Sequence, residues 1–437
     1  MKFTVEAGGS LTGTARVPGD KSMSHRSIMF GSLAEGTTRV SGFLEGEDAL
    51  ATVAAFRAMG VQIEGPEDGR VTIQGVGLQG LEAPGNALDL GNSGTSMRLL
   101  AGLMAGQRFD SVLSGDASLS KRPMGRVIDP LALMGANIDS EEGGRPPLRV
   151  HGASTLQGIH YDLPMASAQV KSCVLLAGLY ASGRTSLTEP APTRDHTERM
   201  LRGFGVAVER DERGVISVEG GSALQACDID VPADISSAAF FLVAASIAPG
   251  SDITLTHVGM NPTRIGVINI LRDMGADLQI QNEREVGGEP VADIRVRSAS
   301  LRGIEIAEKD IPLAIDEFPA LFVAAACAEG QTVLRGAEEL RVKESDRIAV
   351  MADGLQTLGV DCEVLEDGII IQGFGDSGSF GGGEIESHHD HRIAMSFSIA
   401  ALRSREAISI QGADTVATSF PGFESLAGGL GLGISSQ

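Results

Sequence analysis

The chain has 437 residues, of which 42% are hydrophobic and 21% charged, a composition typical of a soluble globular protein with two or three domains. Its formal net charge is −22, from 57 acidic and 35 basic residues, which argues against nucleic acid or an anionic membrane as a partner. Tryptophan is absent and aromatic residues make up only 4%, so side-chain platforms for stacking bases or sugars are not expected.

The N-terminal stretch MKFTVEAGGS lacks the apolar segment of a signal peptide, and no apolar run in the sequence reaches membrane-spanning length. The cysteines lie far apart and show neither paired nor metal-binding spacing. They are Cys173, Cys227, Cys327 and Cys362. We therefore expect a cytoplasmic protein whose thiols are buried and free.

An amphipathic run that ends in a bulky apolar residue followed by glycine recurs six times, as in FRAMG, LALMG and LRDMG. Its final glycines are Gly60, Gly135, Gly205, Gly275, Gly359 and Gly431. Glycine just after a helix is typical of a left-handed C-terminal cap. The pattern predicts six helices that end at these glycines, each followed by strand-like residues.

A second series of helices alternates with the first, beginning near residues 31, 99, 175, 242, 321 and 398. These runs are rich in alanine and glycine and apolar nearly all round, which predicts interior helices. Solenoid repeats, at about 20–45 residues, are shorter than the spacing between most of these helix starts. Six units therefore fit two globular domains of three units each.

The domain boundary is predicted at VPADISS (residues 231–237), whose opening resembles VPGDKS (residues 17–22). Asp20 and Asp234 are then matching positions, and the strand before Val17 belongs with the C-terminal half. We expect a discontinuous domain of residues 1–19 and 234–437, a second domain of residues 20–233, and hinges near 17–20 and 231–236.

Basic residues stand in the first turns of many of these predicted helices, where the helix dipole alone would favour acidic ones. They are Lys21, Arg26, Arg98, Lys121, Arg122, Arg126, Lys171, Arg194, Arg264, Lys343, Arg347 and Arg392. Helix N-termini bind anions through their free N–H groups. If the equivalent helix ends point one way, these sites converge on a cleft between the domains that suits one or two small polyanions.

Simpler interpretations exist for single motifs. VPGDKSMSHR is not a nucleotide-binding P-loop, because Ala15 and Asp20 occupy both glycine positions. HHDHR (388–392) lacks the second cluster of ligands that a zinc site needs. Several polar residues could be ordinary helix N-caps, and charged pairs such as Asp346 with Arg347 could be surface pairs. The candidate N-caps are Ser22, Asn92, Ser167, Thr193 and Asp316.

Seven motifs taken together resemble those of the EPSP synthase (3-phosphoshikimate 1-carboxyvinyltransferase) family of enolpyruvyl transferases. In order from Lys21 to Phe423, they are GDKSMSHR, GNSGTSMR, KRPMGR, MASAQVKS, RVKESDR, DHR before a small-residue helix, and ATSFPGF. The resemblance implies an α/β fold of two domains, each of three βαβαββ repeats, arranged as an inside-out α/β barrel. The active site is then expected in the interdomain cleft.

The resemblance also implies a reaction and the residues that carry it. The enolpyruvyl group of phosphoenolpyruvate is transferred to the 5-hydroxyl of 3-phosphoshikimate by addition and elimination, and phosphate is released. This is a step of the shikimate pathway to aromatic amino acids, with small anionic substrates, no metal and no organic cofactor. By motif position, the implied ligands of 3-phosphoshikimate are Lys21, Ser22, Arg26, Ser167, Ala168, Gln169, Arg194, Asp316 and Lys343.

The implied ligands of phosphoenolpyruvate are Lys21, Gly94, Arg122, Gln169, Arg347 and Arg392. Among the implied catalytic groups, Asp316 accepts the hydroxyl proton, Glu344 moves a proton at the enolpyruvyl carbon, and Lys21 contacts both substrates. The chain departs from many relatives at Thr418, where lysine is common, and at Ala168, where serine is common. We expect a monomer.

Two alternatives remain open from the sequence. The first is the sister enzyme that transfers enolpyruvyl to UDP-N-acetylglucosamine, many members of which carry a cysteine in the loop corresponding to LSKRPMGR; this chain has none there. The second is a non-catalytic anion-binding protein on the same scaffold, which would not need Asp316 and Glu344 beside so many cations.

Overall fold

The computed structural model describes residues 1–152 and 155–437. Its contacts divide the chain into two compact units. One consists of Met1–Pro18 together with Pro232–Gln437, and we call it the split unit; the other is Gly19–Val231, the continuous unit. Each unit has its own hydrophobic core.

The described helices and strands alternate along the chain. The α-helices are α1 (Lys21–Leu33), α2 (Glu47–Ala58), α3 (Gly94–Ala105), α4 (Gly125–Leu133), α5 (Ala168–Gly178), α6 (His196–Gly203), α7 (Ile235–Ile247), α8 (Gly266–Asp273), α9 (Phe318–Cys327), α10 (Arg347–Thr357), α11 (His391–Ala400) and α12 (Phe423–Leu430). Short 3₁₀ helices cover Leu119–Lys121, Glu308–Asp310, Glu338–Val342, Ala401–Arg403 and Ala413–Thr418.

The strands in the first half are β1 (Lys2–Val5), β2 (Thr12–Ala15), β3 (Ala34–Ser41), β4 (Gln62–Glu67), β5 (Arg70–Val76), β6 (Leu88–Asp89), β7 (Ser111–Ser114), β8 (Asn137–Glu141), β9 (Arg145–His151), β10 (His160–Asp162), β11 (Arg184–Thr188), β12 (Val208–Arg210), β13 (Ile216–Glu219), β14 (Leu224–Gln225) and β15 (Ile229–Asp230). Those in the second half are β16 (Asp252–Gly259), β17 (Asp277–Val286), β18 (Glu289–Arg297), β19 (Glu329–Leu334), β20 (Asp361–Val364), β21 (Ile369–Phe374), β22 (Gly383–Glu386), β23 (Ile408–Gln411) and β24 (Ile434–Ser436).

One sheet pattern recurs through both units, as the repeat predicts. A parallel strand pair is followed by two antiparallel pairings in the orders β6-β7-β9-β8, β10-β11-β13-β12, β14-β3-β5-β4, β2-β16-β18-β17 and β22-β23-β1-β24. In the sheet β19-β21-β20, isolated parallel bridges from Arg302 and Glu305 to β19 stand in for the missing strand. The described residues thus form three such sheets in each unit, and the sheets do not join into a closed barrel.

Two series of helices accompany the sheets. Helices α1, α3, α5, α7, α9 and α11 are buried over nearly their whole length, which confirms the expected interior helices. Close packing explains their small residues: a Cβ added to Gly102 on α3 would lie 2.3 Å from the carbonyl oxygen of Cys173 on α5. The six glycines predicted to end the other helices all have φ between +83° and +118°, the left-handed region that favours glycine.

The two chain crossings between the units have matching structures. Asp20 is the N-cap of α1 and accepts a hydrogen bond from Met23 N at 2.8 Å; Asp234 is the N-cap of α7 and accepts one from Ser236 N at 2.8 Å. The strands that precede Val17 pair with strands of the C-terminal half, β1 with β23 and β24, and β2 with β16. The sequence similarity between the two crossings therefore reflects equivalent helix starts.

Two of the four cysteines, Cys173 and Cys327, are buried, and all four are free. Burial raises the pKa of each of these two thiols to about 12, so both are neutral and unreactive. Among the residues that the structure describes, there is no helix with both the length and the apolar character needed to cross a membrane.

Candidate active site

The interior helices expose side chains almost only at their first turns. On these six described helices, the residues that are not buried are Lys21, Ser22, Thr95, Arg98, Ala168, Gln169 and Arg392. Five of them are residues that the sequence motifs assigned to substrate binding. A polar side chain on an otherwise buried helix has a reason to be there beyond packing, so these helix starts mark the candidate site.

In the continuous unit, Arg26 on α1 is 4% exposed and is held by oxygens of two other segments. Its Nε donates to Thr197 Oγ1 at 2.7 Å, its Nη2 to Ser172 Oγ at 2.9 Å, and its Nη1 to the Ser22 carbonyl at 2.9 Å. We call these residues the Arg26 cluster. These three contacts fix the orientation of the guanidinium.

Lys21, one turn before Arg26, forms an ion pair with Asp48 on α2, with 2.5 Å between Nζ and Oδ2. His25 lies between the two cations in the chain and is fully buried; its Nδ1 is 2.8 Å from Thr52 Oγ1 and 3.2 Å from Ser96 Oγ. Burial, together with the positive charges of Lys21 and Arg26, lowers the pKa of His25 well below its ordinary value. The imidazole is therefore neutral at pH 7 and links α1 to α2 and α3.

The starts of α3 and α5 contact each other. Ser167 is the N-cap of α5, because its hydroxyl accepts a hydrogen bond from Val170 N at 3.3 Å. This confirms Ser167 as one of the candidate N-caps named from the sequence. The Gln169 amide donates to Thr95 Oγ1 at 2.9 Å, and Arg98 donates to the Gln169 side-chain oxygen. Gln169 is thus oriented by two residues of α3 that the sequence motifs did not assign to the site.

Gly94 begins α3 beside Arg122. A Cβ added to Gly94 would lie 3.2 Å from Arg122 Nη1, so glycine leaves room for that guanidinium. Arg122 Nη2 donates to Asn92 Oδ1 at 2.6 Å, and the Asn92 amide donates to Asp116 Oδ2 at 2.7 Å. Ser93, not Asn92, is the N-cap of α3, since it accepts from Ser96 N at 3.1 Å.

In the split unit, Arg347 begins α10 and is 1% exposed. Its Nε lies 2.9 Å from Asp390 Oδ2, its Nη2 2.6 Å from Glu344 Oε2, and its Nη1 3.4 Å from Asp316 Oδ1. We call these four residues the Arg347 cluster. The surface-pair interpretation of Arg347 is therefore wrong, because its guanidinium is buried among three carboxylates.

The charges of this cluster stabilise one another. Burial alone would lower the pKa of Arg347, but the surrounding carboxylates raise it above its ordinary value. Burial alone would raise the pKa of Asp390, but the guanidinium of Arg347 holds it below its ordinary value. Asp390 is also the N-cap of α11, accepting from Arg392 N at 3.0 Å, and it receives a hydrogen bond from Ser345 Oγ at 3.0 Å.

Asp316 is the point where the predicted cations of this unit meet. Its Oδ1 lies 3.4 Å from Lys343 Nζ as well as 3.4 Å from Arg347 Nη1, and its carbonyl accepts from Arg392 Nη1 at 3.0 Å. Glu317, not Asp316, occupies the N-cap position of α9. A partly buried carboxylate in this position is a candidate base for a hydroxyl group.

The arrangement of HHDHR has a structural explanation. His388 and His389 both have left-handed backbones, with φ of 51° and 56°, and this turn brings Asp390 to the start of α11. His389 Nδ1 lies 3.1 Å from Asp414 Oδ1. Over residues 1–152 and 155–437, there is no group of three His, Cys, Asp or Glu side chains that could hold a metal ion.

Comparison with known proteins identifies the chain's relatives. The family model described as EPSP synthase (3-phosphoshikimate 1-carboxyvinyltransferase) matches residues 5–426. The chain belongs to this family. A protein of Alkalilimnicola ehrlichii named 3-phosphoshikimate 1-carboxyvinyltransferase is 68% identical over 435 residues, which cover 100% of this chain and 97% of that protein.

A protein of Methylococcus capsulatus with the same name is 66% identical over 99% of this chain and 98% of its own length. The solved structure of the EPSP synthase from Acinetobacter baumannii has a TM-score of 0.90 and 63% identity, with both chains covered completely. The expected family and its fold are therefore confirmed, and the chain is a transferase.

Within the EPSP synthase family motifs, this chain's departures have visible consequences. Ala168 offers no side-chain donor at the start of α5, and Thr418 is nearly buried, donating to the Thr415 carbonyl at 2.6 Å. The motifs also missed residues that hold the predicted ligands. Ser172 and Asp390 could have been found as a hydroxyl in, and an acid before, largely apolar helices, whereas Thr197 lies on the polar helix α6 and gives no such signal.

Proposed function

We propose how the two clusters carry out the reaction of the EPSP synthase family. The chain transfers the enolpyruvyl group of phosphoenolpyruvate to the 5-hydroxyl of 3-phosphoshikimate, giving 5-O-(1-carboxyvinyl)-3-phosphoshikimate and phosphate, in the shikimate pathway. The observation that carries the residue assignment is the partial exposure of five residues at the starts of helices that are otherwise almost entirely buried, Lys21, Ser22, Ala168, Gln169 and Arg392.

The continuous unit binds most of 3-phosphoshikimate. Together, the two substrates carry roughly five to six negative charges, since each phosphate contributes about −1.5 to −2 and each carboxylate −1. Arginine suits phosphate because its planar guanidinium donates to two oxygens at once. The proposed ligands in this unit are Lys21, Ser22, Arg26, Ser167, Ala168, Gln169 and Arg194.

Phosphoenolpyruvate is bound by Lys21, Gly94, Arg122 and Gln169 of the continuous unit and by Arg347 and Arg392 of the split unit. Gly94 contributes its backbone N–H at the start of α3, where the helix dipole favours an anion. The carboxylates that surround Arg347 and Lys343 partly offset those two cations. Because these carboxylates also hold Arg347 in place, the anion meets a guanidinium whose orientation is already fixed. A fixed orientation lowers the entropy cost of binding.

The chemical step needs one base and one acid. Asp316 takes the proton of the 5-hydroxyl, whose oxygen then bonds to C2 of phosphoenolpyruvate, while Glu344 gives a proton to the methylene carbon. The resulting tetrahedral intermediate loses phosphate as a proton leaves the methyl group, which restores the double bond. Lys343 also contacts the sugar hydroxyls, and Lys21 stabilises the negative charge where the substrates meet.

The experiment that tests this function is release of phosphate from phosphoenolpyruvate. We expect release that requires 3-phosphoshikimate and produces the carboxyvinyl ether in equal amount, observed by mass spectrometry. UDP-N-acetylglucosamine should not replace 3-phosphoshikimate. Phosphate release with UDP-N-acetylglucosamine as the acceptor, or binding of 3-phosphoshikimate without turnover, would contradict the proposal.

The domain organisation, location, oligomeric state and cofactor requirement also belong to this proposal. The discontinuous domain of residues 1–19 and 234–437 and the domain of residues 20–233 are the functional domains, with hinges near 17–20 and 231–236. The protein works in the cytoplasm as a monomer on small anionic substrates and needs no metal or organic cofactor. Sedimentation at micromolar concentration should give a single species of 45.3 kDa, and a dimer would contradict the monomer.

A further inference from the structure

A buried ionic cluster lies behind the start of α5, formed by residues to which the proposed reaction assigns no role. Lys171 is completely buried, and its ammonium lies 2.8 Å from Glu198 Oε1 and 3.1 Å from Glu189 Oε1. It also donates to Glu189 Oε2 and to the carbonyl oxygen of Thr193, each at 3.2 Å. The contact with Glu198 is an ion pair whose angle falls outside hydrogen-bonding geometry.

This cluster fixes one segment of the chain at three points. Glu189 follows β11, Thr193 lies in the connection after it, and Glu198 lies in the first turn of α6. Thr193 additionally donates its hydroxyl to Glu189 Oε1. Because a buried ammonium cannot leave its partners without a large desolvation cost, Lys171 holds residues 189–198 firmly against α5.

The segment held in this way carries the residue that orients Arg26. Thr197 precedes Glu198, and its Oγ1 accepts from Arg26 Nε at 2.7 Å and contacts Ser172 Oγ at 2.8 Å. Ser172 follows Lys171, accepts from Arg26 Nη2, and donates to the Ala168 carbonyl at 2.6 Å. Two adjacent pairs, one on α5 and one on α6, therefore join the ionic cluster to the guanidinium.

We propose that Thr197 and Ser172 are positioning residues that aim Arg26 at the 3-phosphate of the sugar substrate, and that Lys171 fixes α6 against α5 so that both hydroxyls keep their places. A hydroxyl orients the guanidinium without adding a negative charge beside it, whereas a carboxylate in the same place would add one. The inference rests on the proposed role of Arg26 and extends it to residues that do not touch substrate.

Thr197→Val tests the inference, because valine keeps the shape of threonine and removes the hydroxyl. A lost hydrogen bond to a charged group weakens binding by about 10- to 100-fold, so the Kd of 3-phosphoshikimate should rise by that factor. The KM of phosphoenolpyruvate should change less than about threefold, since Thr197 is hydrogen-bonded to Arg26 and Ser172 and not to the proposed ligands of phosphoenolpyruvate. Thr197→Ser, which retains a hydroxyl, should restore most of the affinity.

Thr185→Val is the matched control. Thr185 on β11 is also fully buried in this unit, and its hydroxyl has no hydrogen-bond partner among the described residues, so its removal should leave both constants unchanged. Wild-type affinity in Thr197→Val, or equal losses for the two substrates, would overturn the inference.

Arg26→Ala separates this inference from the proposed function beneath it. Arg26→Ala should itself lose affinity for 3-phosphoshikimate, and adding Thr197→Val to it should cause no further loss. If Arg26→Ala binds 3-phosphoshikimate normally, the proposed role of Arg26 is wrong. If Arg26→Ala loses affinity and Thr197→Val does not, only the positioning role is wrong.

Discussion

Arg26 in the continuous unit and Arg347 in the split unit are both nearly buried, but they are held by different chemical groups. Arg26 donates to two hydroxyls and a carbonyl, whereas Arg347 contacts three carboxylates. Hydroxyl and carbonyl acceptors orient a guanidinium without themselves adding negative charge, whereas carboxylates compensate it and supply groups that can exchange protons. The comparison therefore assigns substrate affinity mainly to the first cluster and proton transfer mainly to the second.

The largest effect should come from Asp316→Asn in the Arg347 cluster. Removal of a general base typically costs about 10²- to 10⁴-fold in rate, so kcat should fall by that factor while substrate binding changes modestly. Steady-state phosphate release measures both. Glu339→Gln, which removes the other carboxylate that contacts Lys343 (2.9 Å), is the control and should stay within a few fold of wild type. Normal turnover in Asp316→Asn would remove it as the base.

Asp390→Asn should cause the largest loss of stability, because it breaks a buried ion pair and leaves Arg347 less compensated. Breaking such a pair costs about 3–5 kcal/mol in the free energy of unfolding, measurable by urea denaturation. Glu209→Gln is the surface control: Glu209 pairs with Arg184 at 2.8 Å with both side chains exposed, and its loss should cost at most about 1 kcal/mol. Equal losses in the two variants would show that burial does not govern these pairs.

The two units should also respond differently to pH. Because the pKa of His25 is lowered in the folded protein, the unfolded chain takes up a proton below pH 6.5 that the folded chain refuses, and stability falls as the pH drops from 6.5 to 5. The slope from this one group is about 1.4 kcal/mol per pH unit at most. Asp390, whose pKa is lowered, contributes stability that is lost only as the pH falls below about 3.9.

Comparison of wild type with His25→Gln by denaturation at several pH values isolates the histidine effect. The variant should lose less stability than wild type between pH 6.5 and 5. His151→Gln is a control of opposite sign: the hydrogen bond that the His151 ring donates to the Asp139 carboxylate raises the pKa of His151, so its contribution is present below pH 6.5 and is lost at higher pH. Parallel curves for wild type and His25→Gln would contradict a neutral His25.

The sequence predicted the repeat, the interior helices and the helix-ending glycines, because each depends on local pattern: a small apolar run packs inside, and glycine tolerates positive φ. It also predicted basic residues at the helix starts, and five of the seven residues that are not buried on the described interior helices are ones that the motifs assigned. Its predictions failed where a role depends on a distant partner. Arg347 was equally consistent with a surface pair, because its contact with Asp390 spans 43 positions in the chain.

The same limit explains the missed residues. Thr197 and Ser172 are 25 positions apart, and Arg26 lies far from both in sequence, so no local pattern connects them. The errors in the predicted N-caps were smaller. The N-caps of α1, α3 and α9 are Asp20, Ser93 and Glu317, each within two positions of the residue named from the sequence. Several neighbouring polar side chains can cap one helix. Only the folded backbone decides which of them does so.

Calorimetric titration of 3-phosphoshikimate into Arg26→Ala and Asp316→Asn tests the division of roles most directly. A buried arginine that contacts a phosphate contributes hydrogen bonds to a charged group, so Arg26→Ala should weaken binding by about 100-fold. Asp316→Asn should bind within a few fold of wild type although its kcat falls by about 10²- to 10⁴-fold. Tight binding by Arg26→Ala together with weak binding by Asp316→Asn would contradict the assignment of affinity to one cluster and proton transfer to the other.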